Sequence, residues 1–559
     1  MKRRRIPLHI LATLILSAHS LAEAPVPARL AHPVLSTVAG LPRDHPGRGV
    51  GRSPGARTVP RAETNARMRT RAGGQAALSA VKSPPVPLTV DAGKTLRTVP
   101  AWRGVHMAPI KDGYQEEDVI RVKELGATCV RFGFNGMILE GEEVAQASRL
   151  HPRTSHPGAG QDEPGTYSEE GFQYLDRFIG WCEKHNLGAI LDLHNVVGRR
   201  KGEDTRIWIH YHGWPDPKLF QDRFVNLWRE IARRFAGRSG VLAYELLNEP
   251  NPPHDDFEVW NKLTERAIAA IREVDGTHPI IVDSIGYANP ARFRGLKRVA
   301  DANVIYSFHS YQPSAFHEQK RPWDFDVDGE TYYYPGWIKG RYWNREQLRR
   351  AIQPAVEFGE RHGVPLFCGE FGCVSDCPPM TDMIYLMDQI TLFHELGIGW
   401  TMFNYIGRES KAYWRSHFDC NLFIYYIPEK KLLRFDRKIN FLRFFLEKEG
   451  EVLSLDQPSD RDVTIYGIRE RCGRVSLLIA NKDRFQDKKA RLTITGLDSD
   501  AAGLVSVMDT RTDDFEVKGR IGLEKGRAEL RLPKLSITRV DLISRQDGAL
   551  KPNPLCGRR

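Results

Sequence analysis

From Val86 to Lys448 the chain alternates short, nearly continuous apolar runs with longer segments whose apolar positions recur every three or four residues. The short runs are Arg103–His106, Cys129–Phe134, Ala189–His194, Ala243–Leu247, Ile280–Asp283, Val304–His309, Leu366–Glu370 and Trp400–Tyr405. Runs of that length, apolar on both faces, predict strands of a buried parallel sheet. Between them lie helix-period segments: Asp118–Leu125, Phe172–His185, Lys218–Phe235, Phe257–Val274, Arg345–His362 and Met383–Leu396. Eight strand-and-helix units over this length predict an α/β fold of the (β/α)8 barrel type across residues 86–448. An open doubly wound sheet is the alternative topology. It ordinarily carries a glycine-rich phosphate turn after its first strand, whereas Arg103–His106 runs into Met107, Ala108 and Pro109.

Beyond Lys448 the period changes to two. Val463–Tyr466, Val475–Ala480, Ala490–Thr495, Gly503–Met508, Ala528–Leu532 and Ile537–Leu542 predict an antiparallel β-sandwich module over residues 449–546, followed by a loose tail at 547–559. Ahead of the barrel, residues 23–85 are rich in Arg, Pro, Gly, Ala and Ser and read as a linker. Residues 1–22 read as an export signal: the basic run Lys2–Arg5, an apolar stretch from Ile6 to Leu16, and small residues at Ser20 and Ala22. A secreted, periplasmic or cell-surface protein is expected, with no integral membrane segment once the signal is cleaved.

Charge at first suggests another partner. The formal surplus of +11 would suit nucleic acid, but residues 1–82 hold 14 basic and three acidic residues and account for all of it. The folded body is neutral, so no nucleic-acid partner is expected. Eight cysteines in 559 residues do not make a disulfide scaffold. Cys373, Cys377 and Cys420 fall near late strand ends, where a Cys373–Cys377 bridge, or a bridge from either to Cys420, is an expectation; finger-like zinc spacing is missing.

The chemistry is signalled where polar residues interrupt apolar strands, because barrel sites are built at C-terminal strand ends. Arg131 lies inside the second strand and His194 ends the third in "ILDLH". Asn248 and Glu249 follow the fourth in "YELLNEP", His309 ends the sixth in "IYSFHSY", and Glu370 ends the seventh in "FCGEFG". Each alone has a plain structural explanation: Glu249 as a helix cap beside Pro250, His194 as a satisfied core histidine, Arg131 as a stabilising partner of Glu245. Five strands carrying such residues to one rim point instead to an active site.

This constellation resembles glycoside hydrolase family 5, the cellulase-like family, over roughly residues 88–447, including the opening "LTVDAGKTLRTVPAWRGVHMAP", where a hairpin is expected to lead into the first strand. The resemblance implies Glu249 as acid/base and Glu370 as nucleophile of a retaining double displacement, with Arg131, His194, Asn248, His309 and Tyr311 as the supporting shell. Such chemistry needs a proton for the departing oxygen and a carboxylate for the anomeric centre. Glu249 must then carry a proton when substrate binds, which the charge of Glu370 favours. Arg131 would keep Glu370 ionised, Tyr311 would donate a hydrogen bond to it, and Asn248 would reach a sugar 2-hydroxyl. One departure stands out: the family places a Trp near the end of the eighth strand, whereas here Trp400 starts it and Phe403 and Tyr405 lie nearer the mouth.

Loops after the third and sixth strands are aromatic. Trp208, Trp214, Trp323 and Trp337 are the candidate sugar-stacking residues, most of the other rings being expected to pack the loops onto the barrel. The reading is a secreted endo-β-1,4-glucanase acting on a β-glycan as a monomer, with no cofactor and no metal. A β-mannanase, a xyloglucanase or an exo-β-glycosidase on the same scaffold is the alternative, as is a transglycosylase. A non-catalytic carbohydrate-binding protein is the alternative of another class, against which stands the presence of both glutamates.

Overall fold

The structure, a computed structural model, describes residues 84–109, 113–139, 167–196, 217–317, 319, 330–373, 377–405, 424–427, 432–435 and 437–543. The export signal, nearly all of the linker and the tail therefore lie outside the described residues, as do Trp208, Trp214, Trp323 and Cys420.

Two strands precede the barrel, β1 (Val86–Asp91) and β2 (Thr95–Thr98). The barrel strands are β3 (Arg103–Met107), β4 (Cys129–Asn135), β5 (Gly188–Asn195), β6 (Val241–Glu245), β7 (Ile280–Asp283) and β8 (Val304–Ser310). After a small hairpin of β9 (Gly336–Ile338) and β10 (Arg341–Trp343) come the last two barrel strands, β11 (Leu366–Phe371) and β12 (Gly399–Phe403). The eight close in the order β11-β12-β3-β4-β5-β6-β7-β8. Every barrel pairing is parallel, as the two-sided apolar runs require.

The surrounding helices bury one stripe each. In Glu169–Lys184 the buried side chains Phe172, Leu175, Phe178, Ile179 and Cys182 keep the three-and-four spacing, and Ser168 caps the first turn by accepting from the Gly171 amide at 3.2 Å. Thr381–Leu396 differs, since every residue from Thr381 to His394 is buried. It lies between the barrel and the module: His394 Nδ1 is 2.6 Å from Tyr466 Oη, and Lys482 donates to Asp388 at 2.6 Å.

A further hairpin, β13 (Ile424–Ile427) with β14 (Leu432–Phe435), precedes the module strands. These are β15 (Gly450–Leu453), β16 (Val463–Glu470), β17 (Val475–Asn481), β18 (Lys488–Thr495), β19 (Ala502–Met508), β20 (Glu516–Gly522), β21 (Arg527–Leu532) and β22 (Ser536–Ile543). They form a sandwich of a seven-stranded sheet, β2-β15-β16-β17-β22-β19-β20, and a three-stranded sheet, β1-β18-β21. The opening hairpin expected to lead into the barrel is thus a piece of the sandwich: β1 runs parallel to β18 and β2 antiparallel to β15. Leu88 and Val90 explain the exchange, because their alternating apolar face joins Leu477, Ile479, Leu492 and Val540 in the sandwich core.

The other face of the large sheet is buried on the barrel, where Val452, Tyr466, Ile468, Leu478 and Ala480 join the barrel's core. That two-sided burial explains why β17 reads "VSLLIAN", apolar without alternation.

Candidate functional site

Arg131 is the hub of the barrel mouth. It projects from β4 with no exposure, and its five donors need acceptors there. Nε and Nη2 bind Glu245 at 2.7 and 3.0 Å, Nη2 also reaches Asn248 Oδ1 at 2.8 Å and Asp192 at 3.3 Å, and Nη1 donates to Glu370 Oε1 at 2.6 Å. Burial opposes a charge here, but Asp192, Glu245 and Glu370 hold the guanidinium firmly protonated. Nη1 also meets His106 Nδ1 at 2.7 Å. A guanidinium only donates, so this nitrogen accepts and His106 is the neutral Nε2–H tautomer. Burial first, and Arg131 second, push its pKa well down.

Glu370 sits on β11 where the pairing with β8 slips between Cys368 and Glu370, a bulge that re-aims the strand end. Gly369 makes that slip possible: a Cβ there would stand 3.1 Å from His309 Nε2 and Ser307 Oγ and 3.4 Å from Arg131 Nε. Tyr311 donates to Glu370 Oε2 at 3.0 Å. Burial alone would raise the pKa of Glu370, but interaction with His309 and with the Arg131 guanidinium outweighs it and the net shift is downward.

Glu249 follows β6 with a φ of 51°, a left-handed conformation held by its amide donating to Asp283 Oδ2 at 3.0 Å. His309 Nδ1 lies 2.9 Å from Glu249 Oε1 and 3.7 Å from Glu370 Oε2. Burial drives the His309 pKa down to about 4. Carboxylate oxygens of Glu249 and Glu370 come within 4.8 Å of one another. Beside them, His194 Nδ1 is held 2.8 Å from Asp192, and the ring of Phe403 stacks on His106 at 5.2 Å.

The residues expected at the rim, Arg131, His194, Asn248, Glu249, His309, Tyr311 and Glu370, are therefore joined in one network. Sequence reasoning passed over His106, Asp192 and Asp283, although each is a polar residue inside an apolar strand and the same rule finds them. The eighth-strand aromatics separate. Trp400 is buried against Phe371, and Tyr405 turns its hydroxyl into the wall to Asp118 at 2.9 Å, so Phe403 is the half-exposed ring at the mouth. Of the candidate stacking residues, Trp337 is described. It stands 70% exposed on the β9–β10 hairpin, edge-on to Tyr342. The buried rings Phe316, Tyr334 and Trp343 pack the loops.

Two expectations change. Cys373 and Cys377 are buried free thiols in contact with each other, unbridged, while Cys472 is disulfide-bonded. And where no metal was expected, the fold brings possible donors together: His106, His194 and Glu370; Glu245, Asp283 and His309; Glu249, His309 and Glu370. In each set at least one donor, Glu370 or Glu245, already accepts from Arg131. Arg131 is the cation that Glu245 and Glu370 face.

A closed parallel barrel carrying two close carboxyl groups, one held ionised and both facing histidines, is the apparatus of a retaining glycoside hydrolase. Comparison with known proteins agrees. Residues 92–409 match the family described as cellulase (glycosyl hydrolase family 5). Endoglucanase C of Acetivibrio thermocellus is 31% identical over 324 residues, covering 53% of this chain and 85% of that protein. A beta-xylosidase of Phanerodontia chrysosporium is 27% identical over 304 residues, covering 52% of this chain and 56% of that protein. Among solved structures, an endoglucanase from Thermotoga maritima aligns with 18% identity and a TM-score of 0.46 over 61% of this chain and 96% of that one. The chain belongs to glycosyl hydrolase family 5, the cellulase family.

Proposed function

We propose that this family 5 hydrolase is an exported endo-β-1,4-glucanase in which Glu370 is the nucleophile and Glu249 the acid/base. The approach of their carboxylate oxygens to within 4.8 Å carries the reading. That gap suits double displacement at about 5–5.5 Å between carboxyl groups and is too narrow for the water of an inverting enzyme.

In the first step a Glu370 oxygen bonds to the anomeric carbon as the glycosidic bond breaks, and Glu249 passes its proton to the departing oxygen. In the second, Glu249 takes a proton from water, the hydroxyl bonds to the same carbon, and Glu370 leaves as carboxylate. Arg131 and Tyr311 favour the ionised nucleophile that begins the cycle. Asn248, its Oδ1 committed to Arg131, has its amide nitrogen left to meet a sugar hydroxyl.

Internal cleavage is supported by the endoglucanase relative. Export is supported by the basic and apolar pattern of residues 1–22. Among the described residues no helix is long and apolar enough to cross a membrane.

The test is a screen of β-glucans, mannans, xyloglucan and xylans with viscosity followed alongside reducing sugar. An endo-β-1,4-glucanase collapses the viscosity of a soluble β-1,4-glucan before much reducing sugar forms. Reducing sugar and viscosity moving together, with one small product from the start, would instead mark an exo-acting enzyme, and preference for another polymer would reassign the substrate.

A further inference from the structure

Three of the exposed large apolar side chains stand together: Trp337 at 70%, Phe485 at 76% and Tyr333 at 37% exposure. Tyr333 and Trp337 flank the turn into the β9–β10 hairpin of the barrel, and Phe485 stands on the loop after β17 of the module. Arginines join the two sides. The Arg484 guanidinium lies 4.1 Å from the Tyr333 ring centre and 5.2 Å from that of Phe485, and Arg461 lies 6.0 Å from Tyr342, the ring edge-on to Trp337. The loops carrying the two arginines are themselves tied, the Lys482 amide donating to the Asp462 carbonyl at 2.7 Å.

The platform is rigid by construction. Nearby residues turn inward as anchors: Tyr334, beside Tyr333, and Lys482, two before Arg484, both bind the buried Asp388, at 2.7 and 2.6 Å. The module loop is locked by its own side chains, Asn481 accepting from the Asp483 amide at 3.1 Å, and Asp483 from the amides of Phe485 and Gln486 at 2.9 and 3.1 Å. Burying such rings loses little conformational freedom, which is the economy of a preorganised binding surface. Exposed aromatic patches of this kind mark interaction sites.

We propose that this surface is a second, non-catalytic binding site for a neutral pyranose polysaccharide, the rings stacking on apolar sugar faces and the arginines donating to hydroxyls. The composition selects the occupant. Flat rings alternating with guanidinium groups match a ligand whose every unit has an apolar face and a rim of hydroxyls. Asp460, Asp462 and Asp483 around Lys488, at 2.7, 3.8 and 3.9 Å, offset the arginines and disfavour a polyanion. The site would hold a chain against the enzyme while another stretch of it is cut, and the choice of β-glucan as ligand rests on the proposed function.

The test uses native gels containing a soluble β-1,4-glucan, with full-length protein bearing Glu370→Ala so that bound polymer survives. Trp337→Ala and Phe485→Ala added to that parent should each weaken retardation roughly 3- to 10-fold in apparent dissociation constant, the range expected for loss of one stacked ring. With Glu370 restored, Phe485→Ala should leave kcat/KM on an aryl cellobioside unchanged, that ligand being too short to span both sites. Retardation of both added variants equal to the parent's, no retardation of the parent, or a fall of aryl cellobioside kcat/KM in Phe485→Ala would each overturn the proposal, as would stronger, salt-sensitive retardation by a polygalacturonate. Failure of the underlying reading looks different: the wild-type protein would leave the viscosity of the glucan unchanged.

Discussion

Arg131 and Glu370 share a 2.6 Å hydrogen bond in which the guanidinium has no contact with water and the carboxylate side chain is only 6% exposed. A buried pair of this kind costs much more to break than it contributes when intact. Arg131→Met leaves Asp192, Glu245 and Glu370 facing one another without a cation, so a loss of about 3–5 kcal/mol in unfolding free energy is expected by denaturant titration. The same substitution removes a charge that keeps Glu370 ionised, and the acid limb of kcat/KM should move to higher pH. Arg131→Lys should restore part of that limb without restoring the two-pronged hold on Glu245.

In the proposed mechanism Glu249 supplies a proton, so the effect of its loss scales with the leaving group's need for one. Glu249→Gln should lower kcat/KM on a β-glucan about 10²- to 10⁴-fold, the usual worth of general acid catalysis, and much less on a dinitrophenyl cellobioside, whose phenolate leaves unaided. Equal losses on both substrates would mean that Glu249 acts through structure alone.

How much of this could be read along the chain depends on what each signal encodes. Two-sided burial writes itself as continuous apolar runs, and all eight barrel strands lie within three residues of where those runs place them. The same signal fails for β20, Glu516–Gly522, an edge strand with five exposed residues in succession. It also misassigned β1, because Val86, Leu88 and Val90 announce one buried face without saying which sheet covers it. In the site, charged residues at strand ends were legible because charges are costly there. What local pattern does not encode is convergence: that the Glu249 amide rests on Asp283 from the neighbouring strand, or that His106 accepts from Arg131.

His309 gives the enzyme a pH-dependent stability of known sign. Its pKa falls from 6.5 to about 4 on folding, chiefly through burial. Between those values the unfolded chain binds the extra proton, so stability fully present above pH 6.5 is lost as pH falls toward about 4. The loss should total roughly 3 kcal/mol at ~1.4 kcal/mol per unit. Asp283, raised by burial and by the charge of Glu245, acts in the opposite direction. Comparison with His309→Gln isolates the histidine: the variant should lose less stability than wild type between pH 7 and pH 4. Parallel curves would contradict this.

Gly369 gives a steric test. The 3.1 Å approach of a new Cβ to His309 Nε2 requires that ring to shift by a few tenths of an ångström. Gly369→Ala should therefore lower kcat about tenfold with a smaller change in KM, since misplacement of a catalytic group by about 1 Å can cost 10²-fold. An unchanged kcat would show that the close packing behind Glu370 has slack.

The proposed covalent bond to Glu370 can be trapped. A 2-deoxy-2-fluoro cellobioside with a dinitrophenyl leaving group should inactivate the wild-type enzyme, because the fluorine slows both steps and the good leaving group restores only the first. Peptide mass mapping should then find one fluorosugar ester on the peptide containing Glu370, and that ester should disappear slowly as activity returns. The same label on Glu249, or on any other carboxylate, would contradict the account.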